Sequence, residues 1–350
     1  MLVHNSHFTT RVLHRISDVD PNEWDRLSAG RPFTSHQWYQ YGEAVMADCE
    51  PIYIILYRHS QPIARATFWR ITNEPLPIQS TFLRQGIQFL FERWPLLICQ
   101  SPLSYTSGLI LPDTPLRDAV QTAISARASE LLHQQGCSFL IFVYLPKKQF
   151  SGWPENLLGT TVSGPGTFMK MVWPNFEAYL DAGNKKDRQH YKRTMREAQK
   201  LGIQVSRHTH VERMEEALPL IRAVEHRFRS APNPWARGML EHFEMLDGAT
   251  FLTATIGNRM VGCGLLLEDN GAQMNAALGL AEDVPYVYFT LVYESIKVAF
   301  DHHVGLMRLG TGAYEAKQQL GFSFEDNIST LFTASNPFFQ KTAKWLGKLI

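Results

Sequence analysis

A formal net charge of +1 on 350 residues, 34 basic against 33 acidic, excludes the global basic field of a protein that coats nucleic acid. An apolar share of 45% with 19% charged residues excludes disorder and low complexity and is enough for two or three cores. Four cysteines with no CxxC pair exclude a zinc ribbon and a disulfide framework.

Reduced thiols, an N-terminus (MLVHNSHFTTRVLH) without the apolar core of a signal peptide, and no apolar run near the ~20 residues of a membrane helix together predict a soluble cytoplasmic protein. There is no GxSxG, Walker A or GxGxxG. The close pairs His208/His210 and His302/His303 lack companion ligands and HExxH is absent, so no metal site is expected.

In chain order, RVLHRIS reads as a strand, and PNEWDRLSAG and SHQWYQYGEAVM as two helices. PIYIILYRH and QPIARATFWRI form a hairpin about Ser60-Gln61. LLICQSPLSYTSGLIL gives a strand and a loop. LRDAVQTAISARASELLHQQG is a long helix ending on Gly136. SFLIFVYL is a near-continuous apolar strand, and GTFMKMVW closes the unit.

The second half repeats that order. A basic helix over 184–201 leads to the strand IQVSRHT, a helix over 211–229, a break at SAPNP, and a short helix over 235–246. ATFLTATI, RMVGCGLLLED and AQMNAALGL follow as antiparallel strands, with Asp247-Gly248, Gly257-Asn258 and Asn270-Gly271 as turns. A helix spans 285–303, with Pro285 in its first turn. GLMRLG is a strand, AYEAKQQL a two-turn helix, and FSFEDNISTLFTA one or two closing strands. The expected fold is α/β (α+β): two tandem domains, 1–160 and 161–350, each a mixed, mostly antiparallel sheet with helices on both faces. The tail NPFFQKTAKWLGKLI is expected to be a helix docked on the second domain. Its second reading is an interfacial helix making weak peripheral membrane contact.

Three stretches carry a resemblance. RPFTSHQWYQYGEAV, DRQHYKRTMREAQKLGIQV and LGTGAYEAKQQLGF, in this order and on these elements, resemble signatures of the Fem-type branch of tandem GNAT acyltransferases. The resemblance implies an N-acyltransferase moving an acyl or aminoacyl group from an activated donor to an amine acceptor, a small molecule or a cell-envelope or sugar precursor. The donor is acyl-CoA (acetyl-CoA) in the first reading, because no heptad run matches the coiled-coil arm of relatives that use tRNA. The alternatives are an aminoacyl-tRNA-dependent peptidoglycan-precursor aminoacyltransferase and a GNAT-fold module that binds without turnover. The loop GLAEDVPYVYF lacks the glycine pair of a pyrophosphate loop and carries Glu282 and Asp283, which repel phosphate.

Within that resemblance, Gly310 and Gly312 permit tight turns beside the donor cleft. Lys317 is expected to meet developing negative charge or a phosphate, with Tyr314 or Tyr288 as acid. No general base is visible in the sequence; Glu268, Glu294 and Glu315 are candidates, and deprotonation through water is an equal alternative. Seven basic residues against two acidic give residues 185–200 a local +5, and Arg188, Lys192 and Arg196 form one arc for a phosphate-bearing substrate. Trp38, Tyr41 and Tyr105 are further candidate contacts for substrate, set against interdomain packing for the first two.

Overall fold

The computed structural model describes residues 8–75, 80–146, 153, 157–161, 165–228, 230–326 and 328–346. The chain divides into two units, Met1–Ser163 with Asp326–Ile350, and Gly164–Glu325.

Unit 1 begins with β1 (Thr9–Leu13), α1 (Pro21–Ser28), α2 (His36–Val45), β2 (Glu50–Arg58), β3 (Gln61–Ile71) and α3 (Thr81–Arg93). It continues with β4 (Leu96–Cys99), β5 (Leu109–Ile110), α4 (Arg117–Gln134), β6 (Phe139–Pro146) and β7 (Leu158–Thr161). Asp20 and Ser35 start the first two helices by accepting the N–H groups of Glu23 and Trp38. Strand alternation sorts the core. Ile52, Ile54 and Leu56 of β2 and Ala64, Ala66 and Phe68 of β3 meet Val120, Ile124, Ala128 and Leu131 of α4. On the opposite face Tyr53 packs edge-on against Trp24 of α1, which also meets Tyr39 of α2. Truncating one such ring costs about 3–5 kcal/mol.

α3 lies where the sequence pattern offered no element. Phe82, Leu83, Ile87, Phe89, Leu90 and Phe91 cover a broad arc of roughly 200° at about 100° per residue, wider than the narrow stripe of a helix with one buried face.

Unit 2 runs β8 (Thr167–Lys170), α5 (Phe176–Ala182), α6 (Lys185–Lys200), β9 (Ile203–His208), α7 (Met214–Arg227) and α8 (Ala236–His242). Then come β10 (Thr250–Ile256), β11 (Arg259–Asp269), β12 (Ala272–Leu280), α9 (Val287–Asp301), β13 (Leu306–Gly310), α10 (Tyr314–Gln319) and β14 (Ser323–Phe324). Its sheet order is β14-β8-β13-β12-β11-β10-β9, antiparallel except for the β12–β13 pair. Asn184 and Asp187 form a reciprocal capping box at the start of α6, where the sequence places that helix. Pro285 lies outside α9, whose N-cap is Tyr286 with φ +69°.

The chain then returns to unit 1 as β15 (Ile328–Ala334) and α11 (Pro337–Leu346). β15 pairs antiparallel with β6 and β7, completing the order β1-β2-β3-β4-β6-β15-β7. Two expectations change here. GTFMKMVW does not close the first sheet, since β8 pairs with β13 and β14 in the second. The last strand does not close the second sheet, so residues 326–350 belong with unit 1 rather than with a domain 161–350. A strand's own pattern marks which face is apolar but not which distant edge it joins.

α11 likewise packs in unit 1: Phe339 meets Trp94 at 5.6 Å and Phe139 at 5.5 Å. The last four residues of the tail, 347–350, lie outside the described residues. No helix among the described residues is long and apolar enough to cross a membrane.

Candidate active site

The site begins with an irregularity in β12. Asn275 pairs with Leu266 and Ala277 with Leu265, leaving Ala276 as an extra residue. The bulge flips the alternation, so that Gln273 and Asn275 before it and Leu278 and Leu280 after it all face α9. β12 pairs in parallel with β13 only through Ala272–Leu306, Gln273–Met307 and Met274–Arg308. Beyond Met274–Arg308 the two strands make no further pair, and this gap in the pairing is the opening between them.

Past the opening, β13 needs other partners for its carbonyls. Lys317 supplies them. The side chain, 4% exposed, reaches back from α10 and donates to the carbonyls of Leu309 at 2.8 Å, Gly310 at 3.1 Å and Thr311 at 2.9 Å. The Thr167 hydroxyl also donates to Gly310 O, at 3.0 Å. A protonated lysine has three N–H groups, and all are committed. Burial pushes the Lys317 amine down to about 8.

Gly310 and Gly312 take φ values of +63° and +75°, and a Cβ on Gly312 would meet no neighbour. Glycine is required there by the backbone angle, and the turn it permits places the three carbonyls around one ammonium. Tyr314 is committed too, its hydroxyl donating to Pro165 O at 3.0 Å.

Tyr288 differs from both. It stands in the first turn of α9 and packs against two core clusters, one built on β13 and β8 and the other on β10 to β12. Its hydroxyl is shut off from solvent and has no partner among the described residues. Burial pushes its pKa up to about 12, so it is a neutral donor at physiological pH. The side-chain carbonyl oxygens of Gln273 and Asn275 are also buried without partners, while their amide nitrogens are held by Ser295 of α9 at 3.2 Å. Three polar atoms without a partner among the described residues thus belong to the first turn of α9 and to the stretch of β12 where its pairing with β13 ends. Groups of this kind are rare in native interiors unless a ligand or water answers them.

The loop before α9 is less hostile to anions than its sequence implies. Asp283 pairs with Arg259 at 2.8 Å, and Glu282 approaches Arg227 at 3.6 Å. Each acid beside the helix N-terminus is matched by an arginine.

The basic arc of α6 is partly occupied. Arg188 donates to the carbonyls of Asp181 and Gly183 at the end of α5, and Arg196 binds Glu197 at 3.0 Å. Lys192 is exposed. Glu294 is taken by Arg207 at 2.8 Å and Lys297 at 3.2 Å, and Glu268 by His302 at 2.7 Å; Glu315 is exposed.

Trp38 and Tyr41 cannot serve a ligand as placed. Both have no exposed surface, and the Trp38 indole donates to Pro102 O at 2.9 Å inside unit 1. Tyr105 is exposed and meets Tyr144 edge-on at 5.8 Å.

The sequence reading passed over Gln273, Asn275 and His190. His190 faces α9, with Nδ1 2.9 Å from the Tyr293 hydroxyl and its ring 4.4 Å from that of Phe289. Burial holds its pKa below the ordinary value, with Arg193 acting in the same direction. A period-2 reading of AQMNAALGL would have set Gln273 and Asn275 on one face, but nothing local says that their partner strand leaves. Among the described residues no cluster of three His, Cys, Asp or Glu is arranged to hold a metal.

A mixed sheet with one bulged strand that loses its pairing to a parallel neighbour, present in a chain of two such units, is similar to the tandem GNAT fold. Solved structures agree in fold. FemX aligns with a TM-score of 0.64 at 9% identity, over 94% of this chain and 99% of that one. A tandem GNAT protein from the clavulanic acid biosynthesis pathway, solved without AcCoA, gives 0.56 at 11%, over 94% and 99%. L-PGS from Bacillus licheniformis gives 0.51 at 11%, over 95% and 97%. No curated protein sequence matches it. The FemAB_like family model, described as peptidoglycan biosynthesis/recognition, matches residues 15–349, and the chain belongs to that family.

Proposed function

We propose that this acyltransferase seats an activated acyl or aminoacyl donor in the opening between β12 and β13 and passes the group to an amine of a cell-envelope precursor. The observation that carries the reading is the trio of buried, uncommitted polar atoms on Tyr288, Gln273 and Asn275 beside that opening. In the step, the neutral acceptor nitrogen attacks the donor carbonyl and forms a C–N bond. The carbonyl oxygen takes up negative charge and then expels the leaving group. Tyr288 gives its proton to that leaving group and recovers one as the acceptor nitrogen loses its own. Lys317 acts as a positioning residue: it holds the 309–311 backbone in place and makes no contact with the reacting atoms. Much of the acceleration then comes from holding two substrates in near-attack geometry.

Acyl-CoA is the preferred donor, supported by the arginine partners that neutralise Glu282 and Asp283 beside the α9 N-terminus. Aminoacyl-tRNA is the second reading, supported by the exposed Lys192 on α6. A thermal-shift panel separates them. Acetyl-CoA at a hundred times its Kd adds about 2.7 kcal/mol to the folded state. A shift with acetyl-CoA and free CoA, together with labelled acyl transfer to an amine, supports the first reading. No shift with any CoA species, but transfer from aminoacyl-tRNA, moves the donor to the second. Neither shift nor transfer with either donor overturns the site.

A further inference from the structure

Eleven large apolar side chains are exposed among the described residues, and five of them lie on two neighbouring segments of unit 1. Phe82 is 88% exposed and Phe89 70%, with Leu90 and Trp94 beside them; on α11, Phe338 is 70% exposed. The segments are continuous through ring contacts: Trp94 meets Phe339 at 5.6 Å, and Phe339 meets Phe338 at 5.5 Å.

The outward stripe of α3 inverts the usual rule. At about 100° per residue, Phe82, Phe89 and Arg93 fall within roughly 40° of one another on the solvent side. Ile87 and Phe91 face the core. The helix therefore carries apolar side chains on both faces, and its outer aromatics Phe82 and Phe89 are largely uncovered by the described residues. A contiguous exposed patch of this kind marks an interaction surface.

Charge selects the occupant. Residues 80–94 and 337–346 hold four basic residues, Arg84, Arg93, Lys341 and Lys344, against one acidic, Glu92. That local +3 exceeds the +1 of the whole chain. Arg93 and Lys341 are exposed. In a two-fold pair of identical surfaces this excess would face its own copy, with like charges opposed. Exposed phenylalanines edged by cations suit the boundary between acyl chains and anionic headgroups. We propose that α3, with the start of α11, is a docking surface for an anionic lipid bilayer. The contact is interfacial and reversible, and it rests on α3 rather than on the tail lysines alone. It does not depend on the transfer chemistry, because it is read by binding without turnover.

The test is co-sedimentation of the full chain with vesicles of equal parts phosphatidylglycerol and phosphatidylcholine, and with vesicles of phosphatidylcholine alone. The wild type is expected to bind the anionic vesicles, release at high salt, and leave the neutral ones largely free. Phe82→Ser with Phe89→Ser should lower partitioning about tenfold or more with the melting temperature unchanged, since both rings are exposed. Arg93→Glu should lower it on the order of tenfold at low salt and less at high salt. Phe228→Ser, an equally exposed ring on unit 2, is the control and should change nothing. Absence of wild-type binding to anionic vesicles overturns the proposal. So does equal binding by the folded Phe82/Phe89 variant. If that variant fails to fold, unchanged binding by Arg93→Glu overturns it instead. Loss of a self-associated species in sedimentation velocity, with vesicle binding intact, reassigns the patch to a second copy of the chain.

Discussion

In unit 1 the parallel pair β4–β6 is joined over four residues, from Leu96–Phe139 to Cys99–Phe142. The chain leaving β4 then folds back and is pinned. Ser101 Oγ donates to Phe33 O, the Trp38 indole takes Pro102 O, and Thr67 N donates to Gly108 O. Tyr105 from this loop lies against Tyr144 of β6, past the last paired residue. In unit 2 the corresponding pair β12–β13 is joined over three residues, and Tyr288, Gln273 and Asn275 carry polar atoms that have no partner among the described residues.

The buried cations differ in what they hold. Arg65 in unit 1 has no exposed surface. Its guanidinium stacks 3.6 Å from the Trp24 ring and donates to Ser28 Oγ and Thr34 O, tying α1 to the sheet. Lys317 in unit 2 serves carbonyls that the parted strands leave over. Buried polar atoms without a partner among the described residues occur in both units, at Ser104 Oγ and Thr67 Oγ1 in unit 1 and at Tyr288, Gln273 and Asn275 in unit 2. What distinguishes unit 2 is that its parallel pair ends one residue sooner and that its buried cation is held on backbone carbonyls.

Tyr288→Phe probes this contrast most strongly. The ring and its packing stay, and only an uncommitted hydroxyl is lost, so stability should hold or rise slightly. Turnover should fall roughly 10²–10³-fold, the usual loss for one transition-state donor. A fall of less than about threefold in kcat would remove unit 2's opening as the place of reaction.

Lys317→Met tests the positioning role. Three carbonyls lose the lysine's donation, that of Gly310 keeping only the Thr167 hydroxyl, and the expected cost is about 2–4 kcal/mol in unfolding free energy by denaturant titration. The pH dependence carries a sign. The amine sits near 8 in the folded chain, below its ordinary value of 10.5. Between those values the unfolded chain holds a proton that the native chain has released, so the lysine makes stability rise with pH across that window. Below it both states are protonated and the slope vanishes. Comparing wild type with the variant at one pH below the window and two inside it isolates this slope; identical slopes would mean that Lys317 is not depressed.

Trp38→Phe should have the smallest effect. It removes one buried hydrogen bond to Pro102 O, at a cost of about 1–2 kcal/mol, and leaves kcat and KM unchanged. A loss of activity at unchanged stability would instead bring the 100–108 loop of unit 1 into the site and narrow the contrast.

The sequence by itself determined most of the order of elements in each half, α3 and α5 excepted, because hydrophobic period and turn residues are local. It also placed the capped basic helix at 184–201, the left-handed glycines at 310 and 312, and Lys317 beside them, since each depends on a few neighbouring residues. Tertiary structure alone decided where the closing strands go, with β8 in the second sheet and β15 in the first, because pairing partners lie far along the chain. It also decided what the site residues do. Trp38 and Tyr41, plausible as contacts in a motif, are core. Lys317, plausible as a catalytic cation, has its three protons on carbonyls. Tyr288 is left as the uncommitted donor. Whether a polar atom is spent or free depends on what other segments bring against it, and that count exists only once the chain has folded.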